Sequence, residues 1–393
     1  MLINLRPWKS ALNHILLLLG GLRDLVLRLC WSLGPARFRR GLDNMLRRKW
    51  RRALDVAPAA RVSLQYLANC TPVQLIISPD RRSVVWLKTR RPRATEPFFD
   101  QAIYHSWLSN VSSRLFHTEL EALAELHRIA PGIPPTGFIF HISYCGSTLL
   151  SNILSVPASC LVISEPWTAS ALLITPQKLL PSEQRMGFLQ ALISALGRQI
   201  FPKQKYLFIK FLSWNVVFLD FIRKSFPGVP WLFLYRHPLE VAVSSLRIYG
   251  VLTEAKAMSD LVHQYLGISE LDKISKEEFH ARMLASYCNT ALKYLDDDKA
   301  MLVNYNELST SFLPRLLSFF KIEIEEEELP QMKDCFNYHS KDGMRKRRFV
   351  TDSHRKIEMA SPHLKEMIER YAMDAYAALE NKRNANTRKN GVN

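Results

Sequence analysis

The sequence predicts an α/β protein: a parallel sheet with helices on both faces, preceded by a smaller N-terminal α+β segment. Three observations carry this. From Pro135 onward, short apolar runs alternate with longer helical stretches, the pattern of buried parallel strands joined by helices. Before Pro135, two β-rich runs are separated only by a short turn, as in a hairpin. The first run after Pro135 leads straight into small and hydroxylated residues before a helix. With 393 residues, 48% of them hydrophobic, the chain can build one large core with an appendage, or two domains. Composition divides it at 1–52, 53–134, 135–382 and 383–393.

Residues 1–52 hold twelve Lys/Arg against Asp24 and Asp43, so +10 of the chain's formal +17 sits there. The run "ALNHILLLLGGLRDLVLRLCW" is broken by Arg23, Asp24 and Arg28, whereas a membrane span needs about 20 mostly apolar residues. Leu19, Leu22, Leu25, Val26 and Leu29 share one helix face. The segment therefore reads as a basic amphipathic helical arm. It would lie on the protein's own body or peripherally on an anionic membrane, with a signal-anchor as a further alternative. No small-residue cleavage site follows it, so a removed signal peptide is not expected. Arg47–Arg52 reads as a solvated basic face.

Val73–Thr89 is the hairpin, turning at Pro-Asp-Arg-Arg. Arg90–Pro97 reads as a linker, Asp100–Ile129 as helical, and Ala130–Pro135 as the close of this accessory segment. The buried strands expected after it are Gly137–Ile142, Cys160–Ile163, Tyr206–Phe211, Trp231–Tyr235 and Met301–Asn304. Helices are expected over Ser182–Ile200, Trp214–Ser225, Glu240–Tyr249, Lys276–Leu295, Thr310–Phe320 and Pro362–Leu379. The polar tail 383–393 reads as disordered. Cysteines 30, 70, 145, 160, 288 and 335 are scattered without a C-x-x-C pair. They read as reduced thiols, consistent with a cytoplasmic protein, possessing neither a disulfide framework nor a zinc site. No metal-ligand motif is present.

"GFIFHISYCGSTLLSNIL", Gly137–Leu154, is a strand, a tight turn and a helix. Helix N-terminal N–H groups are unpaired and carry partial positive charge, and small residues let an anion approach them. Tyr144, Cys145, Gly146, Ser147 and Thr148 form this candidate anion cradle. It lacks the lysine of G-x-x-x-x-G-K-[ST]. A second stretch, "PWLFLYRHPLEVAVSSL", ends a strand at Tyr235, places Arg236 at its carboxyl end, and starts a helix at Pro238 that carries Ser244. Arg236 and Ser244 could face one anion, Arg236 through its planar fork.

Together these stretches resemble the sulfotransferase family, whose P-loop-like sheet binds 3′-phosphoadenosine 5′-phosphosulfate (PAPS). "SYCGSTLL" is similar to the turn that cradles the 5′-phosphosulfate, and "YRHPLEVAVSS" has the family's Arg and the Ser eight residues later that hold the 3′-phosphate. Val303–Ile322 resembles a third family segment more weakly, and the likeness covers about Pro135–Leu379. It implies PAPS as co-substrate and sulfuryl transfer to a hydroxyl or amine of a small-molecule, carbohydrate or protein acceptor. The departure lies at Tyr144, where the family carries Lys or Arg. A phenol donates one hydrogen bond but no charge.

The resemblance to the tyrosylprotein branch points to two catalytic residues. Glu165, nineteen residues after Gly146, stands where that branch has its glutamate base. Lys210, twenty-six residues before Arg236, stands where a lysine stabilises the transferring group. An N-cap Glu165 and a structural Lys–Glu pair are the plainer alternatives. A late basic stretch, His339–Phe349 with Ser353–Lys356, is similar to the loop that covers the 3′-phosphate, with Arg345, Lys346, Arg347 and Arg348 as candidates and Arg347 as the choice. His141 and His237 read as supporting hydrogen-bond residues. Two other functions stay open: a different nucleotide-dependent P-loop transferase or hydrolase, and a catalytically silent nucleotide-binding protein of the same fold. Nucleic acid is not the expected partner.

Overall fold

A computed structural model describes residues 47–55, 57–88, 97–109, 113–246, 255, 259–295, 298–341, 347–350 and 353–389. The amphipathic arm through residue 46, together with Arg345 and Lys346, lies outside the described residues. Three strands, β1 (Thr71–Ile77), β2 (Arg82–Lys88) and β3 (Arg114–Glu119), form an antiparallel sheet in that order. Five more, β4 (Pro135–His141), β5 (Cys160–Ser164), β6 (Tyr206–Lys210), β7 (Trp231–Tyr235) and β8 (Ala300–Asn304), form a parallel sheet in the order β5-β6-β4-β7-β8. All five fall on the apolar runs read as buried strands, and β5 and β7 are buried along their whole length. That is the expected state of parallel strands covered on both faces.

β3 corrects the sequence reading. Asp100–Ile129 reads as helical in sequence, yet the chain forms helix Phe99–Ser109, then β3, then helix Glu121–Ile129. β3 pairs with β2 from Ser83↔Glu119 to Lys88↔Arg114. In this pairing Phe116 is buried opposite Trp86. Cross-strand burial outweighed the helical periodicity of the flanks. At the C-terminus the last helix runs from Met373 to Lys389 and so takes in residues 383–389 of the tail read as disordered, while residues 390–393 lie outside the described residues.

The two sheets share one apolar core, which includes Leu67, Trp86 and Phe116 of the first region and Phe138, Phe208 and Trp231 of the second. Polar ties reinforce the junction: Arg198 donates to the carbonyls of Ala68 and Ala130, each at 2.5 Å, and Arg82 to that of Leu179 at 2.6 Å. Residues 47–55 form a helix that packs Trp50 against Trp107, ring centroids 5.0 Å apart. Its Arg47, Arg48, Arg51 and Arg52 are exposed, the solvated face expected of that run. Among the described residues no helix is long and apolar enough to cross a membrane.

The strand order positions the site. The chain leaves β4 for β5 and β6 on one side, then crosses to β7 and β8 on the other. Carboxyl ends beside such a reversal open the crevice where α/β sheets bind ligands. Register aligns those ends: Lys210 pairs with Ile139 of β4 and with Ser164 of β5, and Leu234 with His141. His141, Glu165, Lys210 and Arg236 therefore emerge along one edge.

Candidate functional site

β4 leads through residues 142–146 into helix α1 (Ser147–Leu154). Within this turn Ser143, Tyr144 and Gly146 have φ of 66°, 47° and 90°. Left-handed φ at a non-glycine residue costs about 1–3 kcal/mol and persists only where neighbours enforce it. The enforcing contacts are present. Ser143 N–H donates to His141 Nδ1 at 3.0 Å, and its hydroxyl to Ser213 Oγ at 2.8 Å. Cys145 Sγ donates to the Leu234 carbonyl at 3.2 Å. A Cβ on Gly146 would stand 2.5 Å from Leu308 Cδ1, so this position admits only glycine without rearrangement. Successive backbone N–H groups in such a turn form an anion-binding concavity that runs into the open N–H groups of α1. Ser147 and Thr148 occupy the first turn of α1 and are buried. The Cys145 side chain turns into the core, where burial pushes its thiol up to about 11, so only its main chain is available to a ligand.

Glu165 follows β5 with φ 57°, and its N–H donates to the Lys210 carbonyl at 2.6 Å. That turn brings its carboxylate over the end of β6. Lys210 Nζ lies 2.7 Å from Glu165 Oε1, and His141 Nε2 lies 3.4 Å from the same oxygen. Lys210 has no exposed surface, and its ammonium stands 5.3 Å from the Phe98 ring centroid. Both sequence candidates are thus one ion pair, which joins the functional and the structural alternatives for Lys210. Burial alone would raise the Glu165 pKa, but the His141 hydrogen bond and the Lys210 charge outweigh it and bring it down to about 2. Burial, the largest influence on His141, lowers its pKa and keeps the ring neutral.

This predicts a defined acid limb. The folded Glu165 pKa of about 2 lies below the ordinary 4.5, so its stabilisation is complete above 4.5 and is lost as pH falls through about 2. The difference corresponds to about 3 kcal/mol. In urea titrations the gap between wild type and Glu165→Gln should close between those pH values. A gap that stays constant would remove the assignment.

On the open side of Glu165, helix α2 (Trp167–Ile174) begins. Trp167 is 46% exposed, and its ring meets Trp214 with centroids 6.1 Å apart. The Trp167 N–H donates to Asp100 Oδ2 at 3.3 Å. These residues form an aromatic shelf with one carboxylate beside the carboxyl ends of β5 and β6.

Arg236 follows β7 and precedes helix α3 (Pro238–Ser245), whose first turn holds Pro238 as expected. The buried guanidinium is 4.0 Å from the Tyr305 ring centroid. It donates to the Tyr144 carbonyl at 3.4 Å, to Ser353 Oγ at 2.8 Å, and closely to the Glu240 carboxylate. Ser244, one turn beyond Glu240, donates its hydroxyl to the Glu240 carbonyl at 3.0 Å. Arg236 therefore reaches the cradle directly, and Glu240, which the sequence reading passed over, occupies part of its fork.

In the late basic stretch, Tyr338 bridges to Arg348, and His339 N–H donates to the Arg347 carbonyl at 2.8 Å. The Arg347 and Arg348 side chains are exposed. Lys341 is the residue sequence reasoning missed. Its ammonium stands 4.5 Å from the centroid of the Tyr144 ring. The charge run that contains it was visible, but nothing local marked which cation folds onto the cradle. Among the described residues no group of three or more His, Cys, Asp and Glu could hold a metal ion.

No family model matches the chain, and no curated protein does. Solved structures with which it has similarity in fold include sulfotransferases. One from Mycobacterium avium aligns with TM-score 0.40 and 12% identity, covering 64% of this chain and 80% of that one. One from Alicyclobacillus acidocaldarius aligns with TM-score 0.37 and 14% identity, covering 64% and 96%. A mouse sulfotransferase complexed with PAP aligns with TM-score 0.33 and 10% identity, covering 66% and 92%.

Proposed function

We propose that the protein transfers a sulfuryl group from PAPS to a hydroxyl or amine acceptor. The observation that carries this is the convergence, at one sheet edge, of a left-handed anion cradle, the buried Lys210–Glu165 pair, and Arg236. The residues fit an adenosine phosphosulfate. Gly146 gives the turn its left-handed φ of 90° with Leu308 and Tyr305 packed where a Cβ would stand, and Arg236 presents a buried guanidinium at the Tyr144 carbonyl. When bound, the co-substrate supplies the activated sulfur–oxygen bond.

The chain's own residues then have separable tasks. Backbone N–H groups of 144–148 hold the phosphosulfate. Arg236, with Ser244 behind Glu240, anchors the other phosphate. Glu165 accepts the acceptor's proton, although with a pKa of about 2 it is a weak base in the resting pair. An arriving anion competes for Lys210, and as that ammonium turns toward it the carboxylate becomes more basic. Base strength is thereby coupled to co-substrate binding. The acceptor lies against Trp167, Trp214 and Phe98, which favours a ring-bearing molecule. Residues 1–52 would add peripheral contact with an anionic membrane to a cytoplasmic enzyme.

The test is a thermal shift with PAP, which at 100 times its Kd stabilises the folded state by about 2.7 kcal/mol. A shift with PAP but not with ATP and magnesium is expected. The reverse pattern would identify a different nucleotide-dependent transferase or hydrolase. A specific observation favours a second reading, a nucleotide-binding protein without catalysis: Tyr144 brings no charge to the cradle. Transfer of labelled sulfate from PAPS to an acceptor library separates it from the first.

A further inference from the structure

The cradle has a neutral phenol at the position where the resembled family carries a cation, and the fold lays an ammonium on that phenol from a distant part of the chain. Lys341 Nζ is 4.5 Å from the Tyr144 ring centroid, within cation–π reach. The segment that bears it is tied down. Asn152 Nδ2, on α1, donates to the Ser340 carbonyl at 2.8 Å. His339 N–H donates to the Arg347 carbonyl at 2.8 Å, and Phe349 N–H to that of Asn337 at 2.9 Å. Lys341 is thus held through the helix whose N-terminus completes the cradle. The charges of Lys210 and Glu165 both act on its ammonium, which places it in the field of the ion pair.

We propose that Lys341 brings a second positive charge, beside that of Lys210, to the 5′-phosphosulfate subsite, acting across the Tyr144 ring in place of a loop lysine or arginine. This rests on the sulfuryl-transfer reading. The ring face stations the ammonium while no anion is present, and a phosphosulfate, with full negative charge, draws it the short distance from ring to anion. A lysine suits this, because its charge is compact and its stem has four flexible carbons. The phenol suits it equally, because an arginine or lysine at position 144 would repel Lys341. In the transfer, the acceptor oxygen or nitrogen forms a bond to sulfur. The bond from sulfur to the bridging oxygen breaks, and its electron pair stays on that oxygen, which becomes a phosphate oxygen of PAP. The acceptor's proton passes to Glu165. Lys341 stands by the oxygen that gains charge, where a preplaced cation contributes most.

The test is calorimetry on the full chain with adenosine 5′-phosphosulfate, adenosine 3′-monophosphate and PAP. Lys341→Met should weaken adenosine 5′-phosphosulfate about tenfold, the loss of one charge-assisted contact, and leave adenosine 3′-monophosphate unchanged. Adding Tyr144→Arg to Lys341→Met should restore most of that affinity, whereas Tyr144→Arg alone should not improve on wild type. Equal weakening of adenosine 3′-monophosphate would place Lys341 on the other phosphate and overturn the inference. Unchanged affinities in Lys341→Met, beside normal wild-type binding, would overturn it alone. A wild-type protein that binds none of the three would overturn it together with the function it rests on.

Discussion

Lys210→Met is expected to lower turnover by about 10²–10³, the cost of removing one preplaced group from the transferring centre. Methionine keeps the length and apolarity that a side chain with no exposed surface requires in β6, so the strand should hold. Two effects then separate. On the proposed mechanism the transferring sulfuryl group loses a cation, and Glu165 loses the charge that acts with His141 to hold its pKa near 2. In the variant the Glu165 titration should move upward, and the acid limb of stability with it. Glu165→Gln should lower turnover as well but abolish that limb. PAP affinity should survive in both, because Arg236 remains. Wild-type turnover in Lys210→Met, measured at saturating PAPS, would remove Lys210 from the chemistry and leave it a structural partner of Glu165.

Arg236→Ala should destabilise the protein by about 3–5 kcal/mol, since it strands the Glu240 carboxylate in a site where both side chains are at most 9% exposed. The stability loss is therefore no evidence of binding by itself. Glu240→Gln in the same background removes the uncompensated charge and should recover most of the stability. If Arg236 anchors a phosphate, PAP affinity should stay at least tenfold down in the double variant, matching a lost charge-assisted contact of about 1.5–3 kcal/mol. Full recovery of both stability and affinity would make Arg236 a purely structural partner of Glu240 and Tyr305.

The parts of the site legible in the sequence are those contained in one contiguous stretch. The strand, left-handed turn and helix around Gly146 announced themselves through small residues between apolar runs, and Arg236 through its place between a strand and Pro238. The five parallel strands were readable because burial on both faces leaves uninterrupted apolar runs. What depends on register was not readable. Glu165 and Lys210 were each singled out, but their pairing follows from Ser164 lying opposite Lys210 between β5 and β6. β3 was hidden because its short alternation sits between two helical segments and gains its stability from β2. Glu240 looked like an ordinary first-turn acid on α3, where carboxylates are favoured in any case. Lys341 was one charge in a basic run, distinguished only by the tertiary contact between Ser340 and Asn152.

The order β5-β6-β4-β7-β8 also governs how the chain can be made. β4 is the central strand and the first of its sheet to be synthesised, yet it pairs with neither of the strands nearest to it in sequence, β3 and β5. Phe138, Ile139 and Phe140 must wait for Tyr206–Lys210 and then Trp231–Tyr235 to emerge. At about 5–20 residues per second that delay is on the order of several seconds. During that interval Phe138, Ile139 and Phe140 lack one or both of the strands that flank them in the finished sheet. That interval ends with the arrival of β7, which gives β4 its second neighbour and delivers Arg236 to the cradle, and β8 then adds the edge of the sheet.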